Sequence, residues 1–82
     1  MNLQQRIAVV ILRWPWAPGQ VPHGWDIQGQ LQRQGGAVAL GPIIAALEAL
    51  AQQRAIRISP QAPGGNRSIL EVYPDRLQEI VP

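Results

Sequence analysis

The stretch that decides the fold is AIRISPQAPGGNRSILEVY, residues 55–73. Its two ends, residues 55–59 and 68–73, alternate apolar and polar side chains with the period of two that is typical of β-strands. The segment between them is rich in proline and glycine, which is the composition of a turn. The stretch therefore predicts an antiparallel β-hairpin.

The hydrophobic pattern also predicts the register of this hairpin. Ile58 paired with Leu70 would place Arg57 opposite Glu71, which is a favourable cross-strand pair of charges. This register puts Leu70 and Val72 on one face. A slip by one residue would turn the apolar side chains to the wrong face of the sheet.

Three amphipathic helices are predicted before the hairpin. The first covers about residues 2–14 with Asn2 as its N-cap, and a proline-rich loop at 15–23 follows it. The second covers about 24–34, and the third covers about 41–53. In the second helix Ile27 and Leu31 are expected to face the core, with Gly35 and Gly36 as the stop. In the third helix the expected core positions are Ile43, Leu47 and Leu50.

This order of elements predicts an α+β fold, a winged helix-turn-helix with three helices followed by a two-stranded wing. The whole chain, residues 1–82, forms one domain, with residues 74–82 as a short C-terminal segment that is at most a short helix. In such a fold the third helix is the recognition helix. The core is expected to rely on aliphatic residues because the chain has no Phe. Bulk is expected from the aromatic residues Trp14, Trp16, Trp25 and Tyr73.

Composition excludes several classes of site. The chain of 82 residues has no Cys and one His, so it lacks disulfides, thiolate nucleophiles and cysteine-bound zinc. No acid–base or nucleophile set accompanies His23, which is expected to be a turn residue that helps to begin the second helix. We therefore expect a non-enzymatic protein without metal, cofactor or an evident small-molecule ligand. The apolar run at 7–12 is too short to cross a membrane, so a cytoplasmic protein without a membrane partner is expected.

Two segments resemble the PadR family of winged-helix transcriptional regulators. That family has a His-Gly-Tyr-Glu-Ile motif at the start of its second helix, where this chain has HGWDI at 23–27. The family's third helix has a Leu-rich block, and this chain has GPIIAALEAL at 41–50. The resemblance covers roughly residues 3–73 and implies a DNA-binding regulator that works as a dimer. An apolar stripe on the first helix that is wider than one core requires is the expected place for a homodimer contact.

Arginine and amide side chains are the candidates for contact with double-stranded DNA. All seven basic residues are Arg, whose guanidinium suits bidentate contacts with phosphate, and the net charge is +2. Asn66 and Arg67 are expected at the tip of the wing. The complete candidate DNA-binding set is Gln28, Gln32, Arg33, Gln34, Arg54, Arg57, Asn66 and Arg67.

The outward face of the third helix favours a second hypothesis. Sequence reading in the major groove needs hydrogen-bonding side chains, whereas this face is rich in alanine and carries Glu48, which would repel phosphates. A small-residue face is suited to a protein partner, and an exposed Trp16 would be a typical interface anchor. The candidate partner-binding residues are Trp16, Ala39, Pro42, Ala45, Ala46 and Ala49.

Overall fold

The computed structural model describes residues 1–15, 22–60 and 65–81 of the chain. These residues form a small α+β fold with four helices and one antiparallel hairpin, in a layout consistent with a winged helix. The elements in chain order are α1 (Leu3–Arg13), α2 (Gly24–Arg33), α3 (Leu40–Gln52), β1 (Ile56–Ile58), β2 (Ile69–Val72) and α4 (Pro74–Ile80).

Helix α1 begins as the sequence predicts. The Asn2 side chain accepts a hydrogen bond from the Gln5 N–H at 2.9 Å, and the Gln5 side chain accepts one from the Asn2 N–H at 3.0 Å. This reciprocal capping box satisfies two of the backbone donors that a helix start leaves unpaired. It fixes the entry of α1, which turns Ile7 and Ile11 into the core.

Helices α2 and α3 end in the same hydrogen-bonding pattern, a Schellman motif. After α2, Gly35 adopts a left-handed φ of 85°, and the Gly36 N–H returns to the Leu31 carbonyl. After α3, Arg54 occupies the equivalent position with φ of 60°, and the Ala55 N–H returns to the Leu50 carbonyl. A residue with a Cβ is disfavoured in this conformation, so Arg54 stands where glycine would fit at lower energy.

The core lies where the three longer helices meet the inner face of the hairpin. The prediction for the inward positions of α2 and α3 is confirmed, since all five are fully buried: Ile27, Leu31, Ile43, Leu47 and Leu50. The expectation that all the aromatic residues supply core bulk is wrong for two of them, because Trp25 is 57% exposed and Tyr73 is 37% exposed.

A bulge in the hairpin changes the predicted register. Arg57 does lie opposite Glu71, as predicted, but Ile58 pairs with Ile69 and not with Leu70. The extra residue turns Ile69 into the core and leaves Leu70 43% exposed. The register beyond the bulge is set by Ser59, whose N–H donates to the Ser68 carbonyl and whose Oγ accepts from the Ser68 N–H.

The sequence predicts three helices, whereas the described residues form four, because residues 74–80 form α4. Pro74 begins this helix, where its missing N–H costs nothing. Leu77 is fully buried and belongs to the same cluster as Ile7 and Ile11 of α1. The C-terminal segment is therefore part of the core packing.

The start of α2 is tied to the start of β2 by a short third strand-like segment that the sequence analysis did not predict. The Ile69 N–H donates to the Pro22 carbonyl at 2.8 Å, and the Gly24 N–H donates to the Arg67 carbonyl at 3.0 Å. His23 and Ser68 form an antiparallel bridge between them. The start of β2 is consequently held on two sides, by β1 and by the beginning of α2.

Gly24 packs at the centre of this junction and has no space for a side chain. A Cβ placed there would lie 2.7 Å from both Asn66 Oδ1 and Ile44 Cδ1. Gly29, one turn later in the same helix, would meet nothing within 4 Å. Close packing therefore requires glycine at position 24, whereas the space around Gly29 would accept a side chain.

We predict opposite effects on stability from the same substitution at these two glycines. Gly24→Ala should lower the free energy of unfolding by about 1–3 kcal/mol because it overpacks the junction. Gly29→Ala should raise it by roughly 0.5–1 kcal/mol because alanine is the better residue inside a helix. Urea unfolding monitored by circular dichroism measures both. Equal effects of the two substitutions would contradict the close packing at Gly24.

Candidate functional site

The exposed face of α3 carries small side chains, as predicted, with one exception. Ala39, Pro42 and Ala45 are exposed and Ala49 is half-buried. The assignment of Ala46 to this face is wrong, since Ala46 is only 6% exposed. Ala46 turns toward the start of α1. A shallow depression of about 430 Å³ there is lined by Asn2, Leu3, Gln4, Pro42, Ala45 and Ala46.

The Arg67 side chain is bound within the fold. Its Nη1 donates to the Ser59 carbonyl at 2.9 Å, and its Nη2 donates to Glu48 Oε1 at 3.1 Å. The side chain is 20% exposed. The expectation that Arg67 projects from the wing toward phosphate is therefore wrong for this conformation. The same ion pair neutralises Glu48, whose repulsion of phosphates is correspondingly weaker than the sequence analysis expected.

Asn66 also lies inside the fold and not at an exposed tip. It is 5% exposed, and its Oδ1 accepts a hydrogen bond from the Arg67 N–H at 2.9 Å. Its expected exposure is wrong because the backbone at Arg67 is hydrogen-bonded to Gly24, which places Asn66 against the start of α2. Buried amides keep their place through such hydrogen bonds, so Asn66 is a structural residue of the junction.

Arg57 lies on the solvent face of the hairpin. Its Nε is 3.2 Å from Glu71 Oε2, and both side chains are about half exposed or more. The Glu71 carboxylate also accepts a hydrogen bond from the Tyr73 hydroxyl, and this bond raises the pKa of Tyr73 above its ordinary value of 10.0. Because exposed ion pairs of this kind contribute little, the Arg57 guanidinium can exchange its partner at low cost.

The remaining candidates for DNA contact are divided between two helix ends. Gln28 is half-buried and donates from its Nε2 to the Val38 carbonyl at 3.0 Å, so it holds α2 to the segment before α3. Gln32, Arg33 and Gln34 are exposed at the end of α2. Arg54 is exposed after the end of α3. The α2 candidates thus share one helix, and Arg54 follows the end of another.

His23 caps the start of α2, as predicted. Its backbone N–H donates to Asp26 Oδ2 at 2.8 Å, and its Nδ1 lies 3.4 Å from the same oxygen. The imidazole stacks on the Trp25 indole with ring centroids 5.1 Å apart. Trp16, proposed as an interface anchor, lies outside the described residues.

Sequence reasoning missed the pairing of Trp14 with the outer face of α2. Trp14 lines a pocket with Trp25, although a proline-rich segment separates them in the sequence. The apolar stripe of α1 predicts that Trp14 faces the interior, but it does not predict which residues contact Trp14. Long-range packing of this kind leaves no periodic signal.

In the described part of the chain, no three His, Asp or Glu side chains are arranged to hold a metal ion. None of the four helices there is both long and apolar enough to cross a membrane. Comparisons with protein-family models, with curated proteins and with solved structures find no match to this chain. The resemblance to PadR regulators therefore stays a prediction from the two segments that carry it.

The ion pairs Arg57–Glu71 and Arg67–Glu48 should differ in their contribution to the free energy of unfolding. Arg67→Ala should lower the free energy of unfolding by roughly 1–3 kcal/mol, because it leaves the Ser59 carbonyl and Glu48 without a half-buried partner. Arg57→Ala removes an exposed pair and should cost less than about 1 kcal/mol. Urea unfolding of both variants measures the difference, and an equal loss would contradict a structural role for Arg67.

Proposed function

We propose that this protein is a winged-helix DNA-binding protein that acts in transcription regulation in the cytoplasm, as a homodimer. The layout of α2, α3 and the hairpin supports the proposal, but folds of this type host several functions. The observation that carries it is the distribution of charge. Three exposed arginines have no acidic partner among the described residues, whereas four of the five acids already contact a basic side chain.

Nearly all carboxylates are already paired. Glu48, Glu71 and Glu79 each contact an arginine, and Asp26 contacts His23. Asp75 is the one acid outside these pairs among the described residues. By contrast Arg13, Arg33 and Arg54 are exposed and are in none of these ion pairs. Each lies at the C-terminal end of a helix, where it also complements the helix dipole.

Binding of this kind is directed mainly at the DNA backbone. Unpaired guanidiniums displace counterions from phosphates, which gives an affinity that depends strongly on salt and weakly on sequence. The centre of the α3 face, Pro42 and Ala45, offers no hydrogen bond to a base edge. Alanine there permits close approach and contact with a thymine methyl group. Sequence discrimination is therefore expected to be modest.

We assign the homodimer contact to the part of α1 that the core leaves uncovered. Val9 and Leu12 are half-buried, and Leu12 lines a groove with Val72 and the exposed Leu70. A small domain with an aliphatic core gains stability by covering such surface with a second copy. Two such domains would present two sets of arginines to one duplex.

The proposal is tested by a salt titration of binding to random-sequence duplex DNA, measured by fluorescence anisotropy. The double variant Arg33→Gln with Arg54→Gly should bind more weakly. The slope of log K against log salt should decrease by about two units, at about 0.9 per lost phosphate contact. Arg54→Gly also removes the backbone strain of the left-handed residue, so loss of folding cannot explain the result.

Arg13→Gln is the matched control, because Arg13 is also exposed and unpaired but lies at the end of α1, a helix that contributes no residue to the candidate DNA-binding set. It should change the slope by less than half as much as the double variant. Absence of binding at low salt, or equal effects of all three charge removals, would contradict the assignment of the DNA-binding surface.

The second candidate function is protein binding through the face of α3. The observation that favours it is the depression beside Pro42 and Ala45, whose lining contains no charged side chain. Ala45→Arg separates the two functions. On a DNA-binding face the added cation strengthens binding to duplex DNA, whereas on a protein-binding face it leaves DNA binding unchanged and disrupts the protein complex.

A further inference from the structure

A pocket beside α2 is lined by a set of side chains unlike those of the rest of the surface. It has a volume of about 280 Å³ and lies between the end of α1 and α2. Its lining residues are Trp14, Trp25, Asp26, Gly29, Gln30 and Arg33. Two indoles, a carboxylate, an amide and a guanidinium thus converge on one small space.

We propose that this pocket binds a planar heteroaromatic ligand that carries an anionic group, the chemical class of the nucleoside 5′-monophosphates. This small-molecule site shares Arg33 with the proposed DNA contacts, but its stacking surface, formed by Trp14 and Trp25, is not part of them. It also goes beyond the sequence, which gave no sign of such a ligand.

The aromatic side chains provide a surface on which a flat ring can stack. Trp25 is 57% exposed, which is unusual for the largest apolar side chain in a small protein. Its stacking on His23, with an angle of 24° between the planes, restrains the indole, and the same side chain lines the pocket. Offset stacking on a restrained aromatic ring stabilises a bound ring without much loss of side-chain entropy.

The indole N–H of Trp14 is a hydrogen-bond donor without an acceptor among the described residues. This Nε1–H is also shielded from solvent. A shielded donor without a partner costs roughly 1–3 kcal/mol, so a ligand that brings an acceptor recovers part of that cost. Ring nitrogens and exocyclic oxygens of heteroaromatic compounds are such acceptors. The exposed side chains of Trp25 and Arg33 line the same pocket and can move to admit one.

The size and polar groups of the pocket narrow the ligand class. Gly29 leaves the helix surface open, since a Cβ there meets nothing within 4 Å. A volume of about 280 Å³ accommodates the ring system of a nucleotide, with the ribose and phosphate extending beyond it, and is too small for an extended peptide. The Gln30 amide can both donate to and accept from a ring edge. Arg33 is exposed and is in none of the ion pairs of the described residues, so it is the expected partner of the anionic group.

The test is a titration of the ¹⁵N-labelled full chain with AMP, GMP, CMP and UMP, followed through the indole N–H resonances. Single Trp→Phe variants assign those resonances. At least one nucleotide should shift the Trp14 and Trp25 signals in a saturable manner, with the Trp14 proton moving downfield as it gains an acceptor. The corresponding nucleoside, which lacks the phosphate, should bind at least fivefold more weakly.

Two variants locate the ligand. Gly29→Leu fills the pocket at a position where the fold has space, and should weaken nucleotide binding at least tenfold while duplex DNA binding and the melting temperature are retained. Arg33→Gln should reduce the advantage of nucleotide over nucleoside, and Arg13→Gln should not. No saturable shift with any of the four nucleotides at millimolar concentration would overturn the proposal. So would shifts that persist unchanged in Gly29→Leu.

Discussion

The contact between the start of α2 and the hairpin is the constraint on which the rest of the structure depends. Two backbone hydrogen bonds, from Gly24 to Arg67 and from Ile69 to Pro22, join segments about 45 residues apart in the chain. They form only because Gly24 lacks a side chain and can approach Asn66 and Ile44 closely. A two-stranded hairpin is at best marginally stable by itself, so this third segment gives it a fixed place on the helices.

The same contact determines which polar residues remain available at the surface. Because Arg67 is hydrogen-bonded to Gly24 at the start of α2, Asn66 is buried and the Arg67 guanidinium contacts Ser59 and Glu48. The hairpin thus uses its own polar side chains to hold itself to α3. The unpaired positive charge that remains exposed lies at the ends of the helices, on Arg13, Arg33 and Arg54. This is the physical reason for expecting contacts with a phosphate backbone and little reading of bases.

The parts of the fold that could be predicted from sequence are those set by local interactions. The Asn2 cap of α1, the Gly35 stop of α2 and the inward positions of the helices follow from side chains within a few residues of each other. The bulge between Arg57 and Ile58 could not be predicted, because it depends on Ser59 and Pro22 fixing the far end of β2. A hydrophobic pattern with a period of two does not reveal that one strand of a pair contains an extra residue.

The candidate site was less predictable than the fold for a related reason. Exposure of a polar residue depends on what packs above it, and proximity in sequence to a turn made Asn66 and Arg67 look exposed. The pocket between Trp14 and Trp25 brings together residues from two helices, and the segment joining them carries no signal of their contact. Helical periodicity directly predicts only two exposed surfaces, the small-residue face of α3 and the end of α2. Ala46 is the one residue that it wrongly assigns to the exposed face of α3.

Native-state hydrogen exchange measured residue by residue tests the central role of the junction most directly. If the start of α2 and the hairpin are one cooperative unit with the core, the Gly24 and Ile69 amide protons exchange only through global unfolding. Their opening free energies should then match that of Leu47 at the centre of α3. Opening of Gly24 and Ile69 at much lower free energy, with Leu47 still protected, would show a hairpin that detaches independently and would contradict the account.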